Sequence, residues 1–386
     1  MVALGEVAPL VRRNVTIDLQ RTYTEIGIRS FFRGTFHRRT VPGSEFTWQE
    51  LFFVRGGDLL FSNLMAWEGA VAVAAPKDAA CVGNHRILTC EVDQTRALPG
   101  FLYLYFRQPT GAAQLVAASP SSIARNRTLG PAALANLRIP LPPLAEQRRI
   151  VARLDGAAER IAKRTEAAKK VEAELGAMLQ VAFRRMTSGA SIVRLGDVAP
   201  LVRRTVTVDA DRFYTEIGVR SFFRGTFHRR TVSGAEFTWQ DLFTVHEGDL
   251  VFSNLMAWEG AVAVAGAQDR ECVGNHRMLT CEVDSSRAVP AFLLFYFRQP
   301  AGSAQLIASS PGSIARNRTL GPAALADLRV PLPSLDVQKE FDMLHAKAQD
   351  ALAAQENATR ELDRLLPALL HEAFGNGTVE LPRAAA

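Results

Sequence analysis

Arginine, asparagine, histidine and glutamate, interleaved with aromatic residues, concentrate in three places in the first half of this 386-residue chain. The first is Arg29-Ser30-Phe31-Phe32-Arg33-Gly34-Thr35-Phe36-His37-Arg38-Arg39, in which Arg33, His37, Arg38 and Arg39 are the candidate contacts. The second joins Asn63, Trp67 and Glu68 to Asn84, His85 and Arg86. The third is a polar loop from Ser119 to Thr128 carrying Arg125, Asn126 and Arg127. These side chains suit contact with nucleic acid. A guanidinium can bond a guanine edge bidentately or clamp a phosphate, asparagine suits adenine, and glutamate can accept from cytosine. The phenylalanines among them read as core rather than as stacking platforms. Any single one of these polar residues can equally satisfy a turn or a surface ion pair.

Each cluster is present twice. A shift of 191 residues carries them onto Arg224, His228, Arg229 and Arg230; Asn254, Trp258 and Glu259; Asn275, His276 and Arg277; and Arg316, Asn317 and Arg318. Only Ser121 against Gly312 differs within the clusters. Over 4–140 and 195–331 about 33 of about 137 positions differ, with no gap, most of them mildly. Two heads of the same fold and nearly the same surface are therefore expected. Differences gather in runs such as 76–80 against 267–271, read as a surface loop; Arg55 against His246 is the change most able to alter a base contact.

Other chemistries fit less well. Cys81-x3-His85-x4-Cys90, repeated as Cys272, His276 and Cys281, matches no zinc module, and small cysteines buried in strands are the better reading. No metal site is assigned. Phe374-Gly375-Asn376-Gly377 follows no strand and opens no helix, so it is not a cofactor loop. The chain has no Walker lysine loop, no nucleophile elbow and no Asn/Asp-Pro-Pro-aromatic methyltransferase motif. No catalytic residue and no cofactor of its own is expected.

The elements that must position the clusters follow from hydrophobic spacing. Asp58 to Ser62 and Ala70 to Ala74 read as strands, and Pro99 to Gln114 as one helix. Ile150, Leu154, Ala157, Ile161, Arg164, Ala168, Val171, Leu175, Met178 and Ala182 alternate in steps of four and three, a coiled-coil stripe over 145–187. A weaker stripe, Phe341, His345, Ala348, Leu352, Gln355, Thr359, Leu362, Leu366, Leu369 and Ala373, occupies 336–374, with Pro367 predicting a kink or frayed last turn. The expected class is α+β, with a head at 1–144, a spacer helix at 145–190, a second head at 191–335 and a C-terminal helix and tail at 336–386. In the order head, helix, head, helix, the second helix can bury its stripe on the first only by returning antiparallel, which relates the heads by a pseudo-twofold. Helices of this length span ~60 Å. Two like heads on a twofold suit an inverted repeat on duplex DNA, while a duplicated coiled-coil scaffold without nucleic acid is the competing reading.

Composition is consistent with this. With 48% hydrophobic and 22% charged residues the chain is globular rather than disordered, and its length suits two or three domains. No apolar run approaches the ~18–20 residues of a membrane span, and the N-terminus has no signal-peptide pattern. Four cysteines fit a reducing cytoplasm. A net charge of +6 permits a nucleic-acid partner without requiring one.

Taken together, the elements resemble the specificity subunit of type I restriction-modification systems. The residues carrying the resemblance are Leu4-Gly5-Glu6-Val7 and Leu195-Gly196-Asp197-Val198, Gly57-Asp58-Leu59-Leu60-Phe61-Ser62 and its copy at 248–253, and the proline-rich step Pro140-Leu141-Pro142-Pro143-Leu144-Ala145-Glu146-Gln147 into a long helix. The second copy of that step, Pro331-Leu332-Pro333-Ser334-Leu335-Asp336-Val337-Gln338, loses one proline and the glutamate. The resemblance implies two target-recognition domains, each reading half of a bipartite site on double-stranded DNA, and a helical spacer that fixes the gap. It implies two methyltransferase subunits carrying S-adenosylmethionine and acting on adenine, and optional ATP-driven restriction subunits. A module of a related methylation-based defence system with another catalytic partner is the alternative. Because the two heads repeat the same clusters, a palindromic site is expected.

Overall fold

The computed structural model describes residues 1–46, 50–120, 127–237, 241–312 and 318–375. The chain divides into two compact units, Met1–Ala167 with Asn357–Ala386 and Ala168–Glu356, each holding one head and a part of each long helix.

Each head is a stack of two sheets and a helical layer, and the strand Leu59–Ser62 shows why. Its alternate residues serve different cores: Leu59 and Phe61 enter the large core beneath the helices, whereas Leu60 packs with Ile26, Val54, Ala74, Cys81 and Ile87 on the other face. A strand covered on both faces must be apolar throughout, which is the run visible in sequence. It pairs antiparallel with Val71–Val73 and Ile87–Cys90, and Leu10–Val11 adds to the latter. The second sheet runs Thr35–Pro42, Thr22–Ile28, Val82–Asn84, Leu51–Phe53, with Thr22–Ile28 and Val82–Asn84 parallel and the other pairings antiparallel. The second unit repeats both sheets, from Leu250–Ser253 with Val251 facing the smaller core to Thr226–Ser233 at the sheet edge.

The segment expected to form one helix over 99–114 forms two, Pro99–Arg107 and Pro109–Ala117. Gln108 adopts extended angles (φ −82°, ψ 158°) because the proline that follows disfavours the helical region before it. The second helix then crosses so closely that a Cβ on Gly111 would lie 2.1 Å from the Tyr105 carbonyl oxygen.

The long helices run Leu144–Thr187 and Leu335–Gly375. Within the first unit Arg153 pairs with Glu372 at 2.8 Å and Phe374 packs on Phe101 and Tyr105; within the second Phe183 packs on Phe341 and Gln355 Nε2 donates to the Ala168 carbonyl. In each unit the two helical segments are therefore antiparallel. The C-terminal stripe is found at its start, with Phe341 and Ala348 buried, but near its end the buried residue is Leu370, one past the expected Leu369. The stripe of the first helix drifts: Val171 and Met178 are exposed, and Leu179 and Phe183 are buried instead. A straight helix of 3.6 residues per turn loses step with a 3.5-residue repeat by ~20° per heptad, so a stripe read from one end ends one residue off. Pro367 does not end its helix, which continues to Gly375. Leu366, Leu369, Leu370 and Phe374 dock on the head there, and that burial offsets the missing amide hydrogen bond.

Candidate nucleic-acid interface

A cleft of about 280 Å³ opens in the first head between the strands Thr22–Ile28, Thr35–Pro42 and Val82–Asn84 and the turn after Ser62. Arg38, Asn84 and Arg86 from the predicted clusters line it, with Glu25 and Ser62. Thr35–Pro42 is the sheet's edge strand, and His37, Arg38, Arg39 and Thr40 are all exposed on it. Arg38 has no hydrogen-bond or ion-pair partner among the described residues and is left available to a ligand. Asn84 accepts from the Arg86 amide at 3.0 Å through Oδ1, which leaves its amide donors directed elsewhere. The cleft recurs in the second head, about 320 Å³, with Arg229, Asn275, Arg277, Glu216 and Ser253 at the corresponding positions. Its polar lining is the same. The substitutions on the shared walls are apolar, Ile28 against Val219 and Ile87 against Met278. Arg55 lies off the cleft wall, its guanidinium 3.8 Å from Glu91.

Several predicted residues are committed within the head. Arg39 Nε donates to Glu25 at 2.7 Å and Nη1 to Glu45 at 3.1 Å, and hydrogen bonding to Glu25 raises its guanidinium above the ordinary value. Arg230 does the same with Glu216 and Glu236. Glu68 accepts from Ser30 Oγ at 3.1 Å, and Glu259 from Ser221 at 3.1 Å, so neither is a free acceptor for cytosine. His37 faces Asp78 at 2.9 Å and His228 faces Asp269 at 3.0 Å. His85 and His276 are exposed beside the cleft arginines, their backbone carbonyls accepting from Arg12 and Arg203. Asn63 and Asn254 hold a buried Oδ1 with no hydrogen-bond partner among the described residues.

A second surface lies around the turn 29–34. The expectation that its phenylalanines are core holds for Phe32, which packs on the head core and against Tyr103, and fails for Phe31, which is 66% exposed. Both adopt positive φ, 60° and 55°, as do Phe222 and Phe223. Two successive left-handed non-glycine residues cost of order 1–3 kcal/mol each and persist only where the surroundings over-determine them. The surroundings here are clear. Phe31 and Phe32 amides donate to the Glu68 and Gly69 carbonyls at 2.8 Å, and the Phe32 ring fills the space where a Gly69 Cβ would sit, 2.4 Å away. Phe32 is thus the anchor that turns Phe31 outward, with Arg33 over its ring at 5.7 Å; Phe222 and Arg224 repeat this at 5.6 Å. Sequence offered no signal for which of two adjacent phenylalanines would be outside. Beside them Arg127 lies over Trp67 at 5.5 Å and Arg318 over Trp258 at 5.4 Å, while Trp67 Nε1 donates to the Leu64 carbonyl. Arg125, Asn126, Arg316 and Asn317 lie outside the described residues.

The remaining motifs are structural. Asp58 is buried, salt-bridged to Arg13 at 2.6 Å and accepting from the Arg55 amide at 2.7 Å, and Gly57 before it takes φ 89° to make the turn. Gln147 is fully buried at the start of the long helix: Oε1 accepts from Leu98 N–H, and Nε2 donates to the Arg96 and Pro142 carbonyls. Gln338 makes the same three bonds to Val289, Arg287 and Pro333. Glu146 only pairs with exposed Arg149, which explains why the second copy does without it. All four cysteines are buried, and burial followed by the nearby Asp58 and Asp249 pushes the Cys90 and Cys281 thiols up to about 12, so neither is a nucleophile at neutral pH.

The family model of the type I restriction modification DNA specificity domain matches residues 1–173. A search among curated proteins returns no match. Among solved structures the chain is similar to the HsdS subunit from Thermoanaerobacter tengcongensis, at 22% identity and a TM-score of 0.64, covering 97% of this chain and 95% of that one. It is also similar, at 22% identity and a TM-score of 0.68, to a chain from work on the structural basis of complex assembly and conformational transition of the type I R-M system, covering 97% of this chain and 96% of that one. Likeness at this identity concerns the fold, and it extends over both heads and both long helices. Residues 1–173 thus match the type I restriction modification DNA specificity domain, and the head they contain is written again in the second half of the chain.

Proposed function

We propose that this chain is the DNA-reading subunit of a type I restriction-modification complex. In this reading each head (1–144 and 191–335) takes half of a bipartite site, and the helices (145–190 and 336–386) space the halves across a pseudo-twofold. The chain would hold two methyltransferase subunits over the target adenines, with restriction subunits as optional additions. S-adenosylmethionine and the methyl-transfer chemistry belong to those partners, since the specificity family is non-catalytic within its complexes. The cytoplasm is the compartment where such a complex meets the chromosome; no described helix is long and apolar enough to cross a membrane.

The observation that carries the reading is the paired cleft. Arg38, Asn84 and Arg86, and their counterparts Arg229, Asn275 and Arg277, offer the donors that distinguish guanine and adenine edges. Because the polar linings match, both heads prefer the same half-site, and on opposite strands of a duplex this makes the target an inverted repeat around an unspecified gap. Single-molecule sequencing of DNA methylated by this chain with its methyltransferase partner tests it. A methylated palindrome with a fixed gap is expected, and two unrelated half-sites would refute the shared reading surface.

A further inference from the structure

Outside the cleft, three residues of the second head converge on one point, and in the first head the corresponding histidine contacts both of its counterparts. In the first unit His37 Nε2 lies 2.9 Å from Asp78 Oδ1 and 3.6 Å from Cys81 Sγ. In the second, His228 Nε2 lies 3.0 Å from Asp269 Oδ1, and the ligand atoms of His228, Asp269 and Cys272 all fall within 4.8 Å of one another. We propose that each head binds a borderline-soft divalent cation of the zinc class through His37, Asp78 and Cys81, or His228, Asp269 and Cys272.

The geometry separates this from a catalytic relay. A relay orients its imidazole through one ring nitrogen and works with the other. In the first head the same nitrogen, Nε2, faces both sulfur and carboxylate, which is convergence of donors rather than a chain. Ligands on a tetrahedral zinc stand about 3.3–3.7 Å apart, given bonds of about 2.0–2.3 Å; the His37–Cys81 separation of 3.6 Å already fits, and the His–Asp separations of 2.9 and 3.0 Å would open by a few tenths of an ångström. Thiolate, imidazole and carboxylate together favour zinc over magnesium or calcium, which take oxygen ligands.

The carboxylate is already oriented for this role. Asp78 Oδ2 accepts from the Ala75 amide at 2.9 Å and from Thr35 Oγ1 at 2.8 Å, leaving Oδ1 toward the histidine. Asp269 Oδ2 accepts from Gly266 and Thr226 in the same way. Such supporting bonds are what fix a ligating carboxylate. Asp78 and Asp269 have side chains 0% and 1% exposed, whereas the His37 and His228 side chains are 41% and 43% exposed, which leaves a solvent-facing fourth position. The turn that carries the aspartate is otherwise rewritten between the heads, Pro76-Lys77-Asp78-Ala79-Ala80 against Ala267-Gln268-Asp269-Arg270-Glu271; the aspartate alone is kept. A bound ion would tie the edge strand bearing Arg38 to the segment entering the strand Val82–Asn84, fixing two walls of the cleft. The site stands independently of the DNA reading.

The full chain, stripped of metal with a chelator under reducing conditions, is titrated with Co²⁺ and followed by absorbance. Two equivalents per chain are expected, with a thiolate-to-cobalt charge-transfer band and the visible bands of a tetrahedral ion, all displaced by Zn²⁺. Cys81→Ser with Cys272→Ser should abolish the charge-transfer band, and Thr35→Ala with Thr226→Ala, which keep every ligand, should weaken binding about 10–100-fold. A wild-type chain that gives no charge-transfer band overturns the proposal without any variant having to fold. So does a band that survives in the Cys81→Ser, Cys272→Ser chain, which would place the metal on other thiols.

Discussion

Replacing Gln147 with leucine removes a side chain of similar volume and three hydrogen bonds at once, at the junction of head and helix. The amide bonds Leu98 N–H at 2.9 Å, the Arg96 carbonyl at 2.9 Å and the Pro142 carbonyl at 2.8 Å, and the residue is 0% exposed, so water cannot replace these partners without opening the junction. Each bond contributes about 1 kcal/mol net, and the backbone groups left buried and unpaired add to the loss, giving about 3–5 kcal/mol for the substitution. For a unit of this size that corresponds to a fall in Tm of about 6–20 °C. The assay is calorimetric unfolding of wild type, Gln147→Leu and Gln338→Leu, each variant lowering the transition of its own unit. Glu146→Ala is the control. Its carboxylate pairs only with the neighbouring Arg149 at the surface, and its removal should leave the Tm unchanged. A loss below about 1 kcal/mol in Gln147→Leu, or an equal loss in Glu146→Ala, would refute the assignment of the glutamine as the residue that seats the helix.

Substituting Arg38, Asn84 and Arg86 with their counterparts Arg229, Asn275 and Arg277 by alanine should relax sequence preference by about 1–3 kcal/mol per base contact in competition gel shifts; uniform weakening across sequences would mark phosphate contacts instead. Phe31→Ala with Phe222→Ala should leave the Tm nearly unchanged, because both rings are exposed, yet weaken duplex binding several-fold; unaltered affinity would remove that turn from the interface. Burial, and then the charge of Arg298, holds the His345 imidazole below its ordinary value of 6.5, the ring stacking on Phe341. The unfolded chain therefore binds the proton more readily, and the second unit should lose stability as the pH falls below about 6.5, a loss that His345→Leu should flatten in acid thermal melts.

The duplication, the α+β class, the two long helices and the strand within Asp58–Ser62 were legible in sequence, because each rests on spacing. A repeat at constant shift needs no coordinates, and neither does an a/d stripe or an apolar run. The candidate residues were legible as types but not as roles. Arg38 and Arg39 are adjacent and chemically alike; the pairing shifts register opposite Glu25, and there Arg39 bonds Glu25 while Arg38 lines the cleft without a partner among the described residues. Phe31 and Phe32 part for a similar reason, since the close approach of Gly69 chooses the ring that goes inside. His37 seemed one more basic residue, and the Cys81, His85, Cys90 spacing drew attention to a pattern along the chain. The ligand-like group actually joins His37 to Asp78 and Cys81 across two elements. Local periodicity determines which elements form and which face is apolar. Which side chains share a site depends on contacts between segments far apart in the chain, and those are decided only when the sheets pack.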